Sequence, residues 1–219
     1  IPASSGGDEP GFMSMGTHFR TGKNFVVSNN EGIGWGASFQ HDGANALQHP
    51  STSSVRNTSI EVLEHISNIF HERLELITDS AGAGKYRGGL GIRRDISFIA
   101  DSEIISMKKK TKTGGWGLNG GRADSKNKMI IWPETNKEKS VGMYRTFMKE
   151  GESFQNYSAG GSGWGNPYER EINNIIDDLK NGYISKKSAQ EIYGILINDD
   201  GTYEENDARL EYISKEINT

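Results

Sequence analysis

Apolar positions divide the chain into two regions. As far as about residue 157 they come in short, strand-like runs. Glu72-Arg-Leu-Glu-Leu-Ile77 alternates polar and apolar as a half-buried strand does, and Ile92 to Ala100 is a second such run. Asn24 to Ser28, Ser102 to Met107, Met129 to Trp132 and Val141 to Phe147 predict further strands. Ser59 to Ile66 predicts one short helix with Ser59 as N-cap, and residues 44–58 before it are polar loop. Beyond residue 166 the period becomes helical. Asn166 can cap a first turn holding Pro167 and Glu169, and Ile172, Ile175, Ile176 and Leu179 share a helix face that ends at Gly182. Ser185 opens a second short helix, Ile195 to Ile197 returns as a strand, and Thr202 with Glu205 opens a last helix. Residues 1–22, rich in Gly, Ser and Pro, are expected to be a linker or arriving segment. The fold class expected is α+β: a glycine-rich, mainly antiparallel sheet region over 23–165, followed by a small C-terminal helical segment over 166–219.

Between two of the predicted strands lies Asp79-Ser-Ala-Gly-Ala-Gly-Lys-Tyr-Arg-Gly-Gly-Leu-Gly91, with five glycines in thirteen residues. Glycine at that density means backbone with φ > 0, or backbone so close to another group that a Cβ has no room. A phosphate loop would need glycine where Asp79 stands and Ser or Thr where Tyr86 stands. A dinucleotide fingerprint would need glycine at Arg87 and a following helix. The stretch therefore predicts a tight inter-strand connection and no nucleotide cradle. Arg87 is its buried-type cation, able to bridge carbonyls and a carboxylate, with Glu61 or Glu64 as the expected partner.

Other chemistry-bearing residues are sparse. Glu61 and Glu64 lie three apart on the predicted helix, the spacing of a carboxylate pair, which serves acid–base work or accepts loop N–H groups. Asp42 follows His41, but neighbours on extended chain point apart and no second close histidine or cysteine completes a metal set. Lys108-Lys-Lys110 and Lys112 read as a solvated edge, or as a patch toward an anionic ligand. Gly-Trp-Gly recurs around Trp35, Trp116 and Trp164, each tryptophan a plug between bending backbone segments. The serine in Gly160-Gly-Ser-Gly-Trp-Gly165 fails the nucleophile elbow, because Trp164 takes the last glycine's place.

Charge is nearly balanced, 25 basic against 29 acidic residues, so no overall field draws nucleic acid or an anionic membrane. Hydrophobic content of 33% is low for 219 residues, which predicts much loop or a core shared with something else. Absence of cysteine removes disulfides and thiolate chemistry, and fits a reducing, cytoplasmic setting. No apolar run approaches the ~20 residues of a membrane span.

The glycine stretch resembles the signature of the hydantoinase B subunits, in the hydantoinase/oxoprolinase family. Further matches follow in chain order: Gly34-Trp-Gly-Ala37 with Asp42-Gly43, Glu61-Val-Leu-Glu64, Gly120-Gly121, Gly160 to Gly165, Pro167 with Glu169-Arg170, and Tyr193-Gly194. The resemblance is to the C-terminal part of a longer subunit. It implies an ATP-dependent amidohydrolase that opens cyclic amides such as hydantoins, 5-oxoproline or other lactams, together with a hydantoinase A-type ATP-binding subunit. ATP and a divalent metal are expected on that partner or on the N-terminal part of the B subunit, with neither cofactor nor metal held by these residues. The catalytic residues stay unassigned, with Glu61, Glu64, Arg87 and Asp42 as candidates; the resemblance favours importance for the Glu61/Glu64 pair without fixing its role, and this piece alone is expected to be inactive. Where the family pattern has aspartate, this chain has Asn166, which caps but carries no charge. Two alternatives stand beside this reading: a subunit of a related ATP-dependent ketone carboxylase, and a non-catalytic scaffold that holds partner subunits.

Overall fold

The computed structural model describes residues 1–7, 10–48, 57–198 and 202–217. Eight of the predicted loop residues, 49–56, lie outside that set. In chain order the elements are β1 (Phe12–Thr17), β2 (Asn24–Asn29), α1 (Ile60–Ile66), β3 (Ile69–Leu76), β4 (Ile92–Phe98) and β5 (Ser102–Met107). These are followed by β6 (Lys128–Ile131), β7 (Lys139–Val141), β8 (Met143–Met148), β9 (Ser153–Tyr157) and a 3-10 turn at Pro167–Glu169. The chain closes with α2 (Ile172–Lys180), α3 (Lys186–Glu191), β10 (Ile195–Ile197), β11 (Tyr203–Glu205) and α4 (Asp207–Ile217).

Two antiparallel sheets form a sandwich, ordered β2-β1-β5-β8 and β3-β4-β9-β6-β7. Strict alternation drives it: β4 and β5 bury every second residue, so each sheet turns one face inward. Phe12, Ile104 and Met148 from the first sheet meet Ile96, Met129 and Phe154 from the second in one core. The Phe12 and Phe154 rings cross edge to face at 5.0 Å between the sheets.

Three expectations need correction. The stretch assigned to a linker contains β1, a central strand, and its Gly11, Gly16 and serine residues had disguised a run whose inward residues are Phe12 and Ser14. The last helix begins at Asp207 rather than Thr202: Tyr203–Glu205 pair with β10, and Asn206 Oδ1 accepts from Arg209 N at 2.9 Å as the cap. Asn166 does cap, accepting from Tyr168 N at 2.9 Å, but over a single 3-10 turn that precedes α2.

At one end of the sandwich the glycine-rich segments form a bundle of bare backbone. Residue by residue, the segment 161–163 bonds to four other stretches of chain, at residues 4, 37, 82–89 and 118–122. Gly161 donates to Gly89 O (2.8 Å) and accepts from Gly82 N (2.8 Å). Ser162 donates to Ser4 O (2.7 Å) and accepts from Ala37 N (2.9 Å). Gly163 donates to Arg122 O (2.9 Å) and accepts from Leu118 N (3.1 Å). All six of these bonds leave the segment and none closes within it, so the segment is held by its neighbours' backbones. It brings backbones too close for side chains: a Cβ on Gly161 would lie 1.8 Å from Trp35 O, and one on Gly89 1.8 Å from Ala44 O. None of the five glycines between Asp79 and Gly91 has positive φ, so close approach is what requires them.

Candidate functional site

The glycine stretch has no free cradle. The N–H groups of Gly82, Lys85, Tyr86, Gly88 and Gly89 each donate to a backbone carbonyl of the bundle, leaving them unable to hold phosphate. Its cations serve the C-terminal segment instead. Lys85 Nζ lies 3.2 Å from Glu169 Oε2, and Asp79 Oδ1 accepts from Ser185 N at 2.9 Å. Arg87 is buried. Its Nε donates to Asp178 Oδ2 (3.2 Å), its Nη1 to Asn45 Oδ1 (3.3 Å) and to Gly88 O, and the guanidinium lies 5.1 Å from the Tyr183 ring centre.

Arg87 therefore pairs with Asp178 of α2, and neither Glu61 nor Glu64 reaches it. Glu64 Oε1 accepts from His71 N at 2.8 Å and lies 3.4 Å from the ring Nδ1, while Glu61 is exposed on the helix surface. Burial and the neighbouring Arg94 guanidinium hold the His71 imidazole below its ordinary value despite Glu64. The pair Glu61/Glu64 is thus divided: one carboxylate latches α1 to β3, the other faces solvent.

Asp42 does join Arg87, through a residue whose role the sequence does not announce. Arg170 donates from both terminal nitrogens to the two Asp42 oxygens, each at 2.8 Å, and from Nη2 to Asp178 Oδ2 at 2.8 Å. Asp42 Oδ1 also accepts from Arg87 N at 2.7 Å. Two arginines and two aspartates thus close a neutral cluster that ties Asp42, the glycine stretch and α2 together. Desolvation pushes the Asp42 carboxyl up, but Arg170 and then Arg87 outweigh it and hold it below the usual range, although its side chain stays 35% exposed. Burial pushes the adjacent Tyr193 hydroxyl up to about 12, so it stays protonated. Arg209 of α4 extends the network, donating to Tyr193 O (3.0 Å), Arg170 O (2.8 Å) and Glu205 Oε2 (2.7 Å).

Beside this cluster lies a cleft of about 480 Å³ between Lys85, Tyr168, Arg170, Arg209 and Tyr212. Part of its polar wall is already paired, for Tyr212 Oη donates to Glu169 Oε1 at 2.9 Å while Lys85 holds the other oxygen. His41 stays exposed and joins none of this. Among the described residues no three His, Asp or Glu side chains converge as metal donors, and the carboxylates that do cluster are occupied by arginines. These residues do not fit a metal.

The lysine run is a solvated edge only in part: Lys109 and Lys112 are exposed, but the other two are not. Lys108 is wholly buried and donates to Pro10 O, and Lys110 Nζ bonds Asp124 Oδ2 (2.6 Å) and Ser5 O (2.7 Å). Lys108 lies near a second buried pair absent from the sequence reading, Arg94 Nε to Glu31 Oε1 at 2.7 Å, with Asn29 and Asn156 donating to the same oxygen. An arginine in the inward phase of β4 was the available signal. Of the three tryptophans, Trp35 donates to Gln48 O (3.1 Å) and Trp164 packs on Tyr86 and Phe39, whereas Trp116 is 68% exposed and plugs nothing.

The glycine bundle, with Asp42 and Arg87, lies inside residues 1–167, which match the family model described as hydantoinase B/oxoprolinase, while Arg170, Asp178 and most of the cleft lie beyond them; the chain belongs to that family. Among its relatives are an uncharacterized protein of Methanocaldococcus jannaschii, 37% identical over 141 residues (64% of this chain, 25% of the relative), and the caprolactamase subunit beta of Pseudomonas jessenii, 28% identical over 158 residues (69% and 27%). The fold matches the crystal structure of the ATP-dependent caprolactamase from Pseudomonas jessenii at TM-score 0.80, with 23% identity, over 97% of this chain and 38% of that one. It also matches the nucleotide-free structure of acetone carboxylase at TM-score 0.73, with 20% identity, over 98% and 34%. The chain thus spans about a quarter of these sequence relatives' length and just over a third of the solved chains.

Proposed function

We propose that this chain is the C-terminal part of the B subunit of an ATP-dependent amidohydrolase that opens cyclic amides hydrolytically. Membership of the hydantoinase B/oxoprolinase family over residues 1–167 carries the reading, and a relative named caprolactamase, also a cyclic-amide enzyme by name, supports it. The partners are a hydantoinase A-type ATP-binding subunit and the N-terminal part of the B subunit, with a small cyclic amide as substrate. ATP and a divalent metal bind on those partners. The described residues contribute a rigid backbone bundle, the Asp42–Arg170–Asp178–Arg87 cluster and the adjoining cleft. In this reading Asp42 and Arg87 are positioning residues and Glu61 and Glu64 have no catalytic part. No helix among the described residues is long and apolar enough to cross a membrane, and a cytoplasmic assembly is the setting proposed.

The test is reconstitution with both partners, measuring ATP turnover against hydantoin, 5-oxoproline and caprolactam. Ring opening that depends on ATP and on all three parts is expected. The fold's likeness to acetone carboxylase favours a second reading, a ketone carboxylase subunit. ATP turnover that requires bicarbonate and a ketone, with no cyclic amide opened, would replace the first reading with the second.

A further inference from the structure

The two outer faces of the sandwich are chemically unlike. Across the five-stranded sheet runs the row Glu75–Arg93–Tyr157–Lys128, and beside it Arg73 meets Asp95. Arg93 grips Asp95 at 2.9 and 2.7 Å, and Lys128 Nζ sits 4.2 Å from the Tyr157 ring centre. That face is built for water. Across the four-stranded sheet runs the row Val26–Met15–Glu103–Phe147, flanked by the pair Met107–Met143. Val26, Met143 and Phe147 are 64%, 68% and 70% exposed, and a hollow of about 380 Å³ opens between Met15 and Phe147. Four of the chain's six methionines, Met13, Met15, Met107 and Met143, lie in this outward phase. The charges there are few, and Arg145–Glu103 and Lys149–Asp101 pair among themselves.

A sheet face with Val26, Met143 and Phe147 each more than 60% exposed is not what a solvated surface usually carries. An apolar face whose central charges, Glu103 and Arg145, pair with each other and whose second pair, Lys149–Asp101, sits at its end has the anatomy of an interface. Methionine adds a conformable surface that packs against an irregular neighbour. The occupant follows from scale: this fold makes up only 38% and 34% of the solved chains that contain it, so in both it sits within a polypeptide large enough to cover one of its faces.

We propose that the outer face of the four-stranded sheet is the docking surface for the remainder of a hydantoinase B-type subunit, the portion to which this chain has no counterpart. The proposal rests on the functional reading above. It assigns the charged face of the other sheet to solvent and the methionine face to the subunit's interior.

A photo-reactive p-benzoylphenylalanine at Phe147, with a control at Tyr157, tests it in the assembly purified through a tag on this chain. Irradiation is expected to join Phe147, and not Tyr157, to hydantoinase B-type peptides outside these 219 residues. Cross-links from Phe147 to a second copy of this chain, to the ATP-binding subunit or to nothing would overturn it. The double variant Met143→Lys/Phe147→Glu supplies a second readout. It is expected to leave the melting temperature of the isolated chain unchanged and to lower recovery of the associated polypeptide about tenfold, the loss of a buried anchor. Equal recovery, or an isolated variant that melts earlier, counts against the proposal. Ring opening assayed on the same preparation separates the two readings. A cross-link without ring opening leaves the docking face standing and fails the function; ring opening without a cross-link does the reverse.

Discussion

Removing the guanidinium of Arg170 would leave Asp42 without its forked partner and Asp178 with Arg87 alone, whereas removing that of Arg87 leaves Asp178 bonded to Arg170. The two arginines are therefore unequal. Arg170→Ala is expected to cost about 3–5 kcal/mol, the penalty for breaking a buried pair. Arg87→Ala is expected to cost about 1–3 kcal/mol, with Arg87→Lys recovering little because one ammonium cannot span Asp178, Asn45 and Gly88. Denaturant unfolding of the three variants checks the order, and a larger loss for Arg87→Ala would refute it. Lys108 gives a prediction with a sign. Burial pushes its ammonium down from 10.5 to about 7, against Glu31, which favours the charge. Between those pH values the unfolded chain holds the extra proton, so stability rises with pH across that window and the contribution is flat below it. Lys108→Met is expected to flatten this part of the slope, gaining most on the native protein near pH 6–7 and least near pH 10. Unfolding free energies measured from pH 6 to 10 decide it: parallel curves for the two proteins would remove the assignment.

At the scale of elements the sequence was legible wherever period and position coincided. β4 and β5 alternate cleanly, and the shift to helical spacing past residue 166 is real, with α2 burying Ile175. β1 was not legible, because its inward residues include Ser14 and its outward ones include Met13 and Met15, which reverses the usual polarity of an exposed strand. That reversal belongs to the methionine face and carries no local signal of its own. The glycine bundle was half legible. Composition gave close approach or φ > 0 as the choice, and only the three-dimensional bonding pattern selects close approach. The consequence is sharp. Gly161→Ala places a Cβ 1.8 Å from Trp35 O and is expected to abolish folding, since backbone on every side cannot yield. Gly142→Ala, whose Cβ would meet nothing nearer than 3.4 Å, is expected to stay within about 1 kcal/mol of the parent. Circular dichroism and thermal melts of the pair test this, and a folded Gly161→Ala protein would mean that the segments are not packed as described.

For the whole molecule, the question is what makes the C-terminal segment part of the same body as the sandwich. Its own core is small, with Ile175, Ile184, Ala189, Tyr193 and Ile195 closing over Ala83 of the glycine stretch. Polar ties do the rest: Thr78 Oγ1 to Gly182 O at 2.7 Å, Asp79 N to Tyr183 O at 3.0 Å, and the arginine–aspartate cluster. Sequence reasoning found Arg87 and Asp42 as residues of consequence but not their common partner. Arg170 lies beyond the strand and glycine patterns, and Asp178 sits in a helix where a charged residue reads as solvent-facing. Long-range pairs of this kind have no period to betray them. Coupling through so few apolar residues makes the cluster the link between two small cores. The intact chain is expected to unfold in one transition. Arg170→Met keeps much of the side chain's volume while removing its hold on Asp42 and Asp178. In that variant α2, α3 and α4 are expected to lose hydrogen-exchange protection before β4, β5 and β9 do, and the melt to broaden or split. Exchange measured residue by residue on both proteins is the check. Simultaneous loss of protection in sheets and helices of the variant would show that the small apolar core around Ala83 couples the two regions without the cluster.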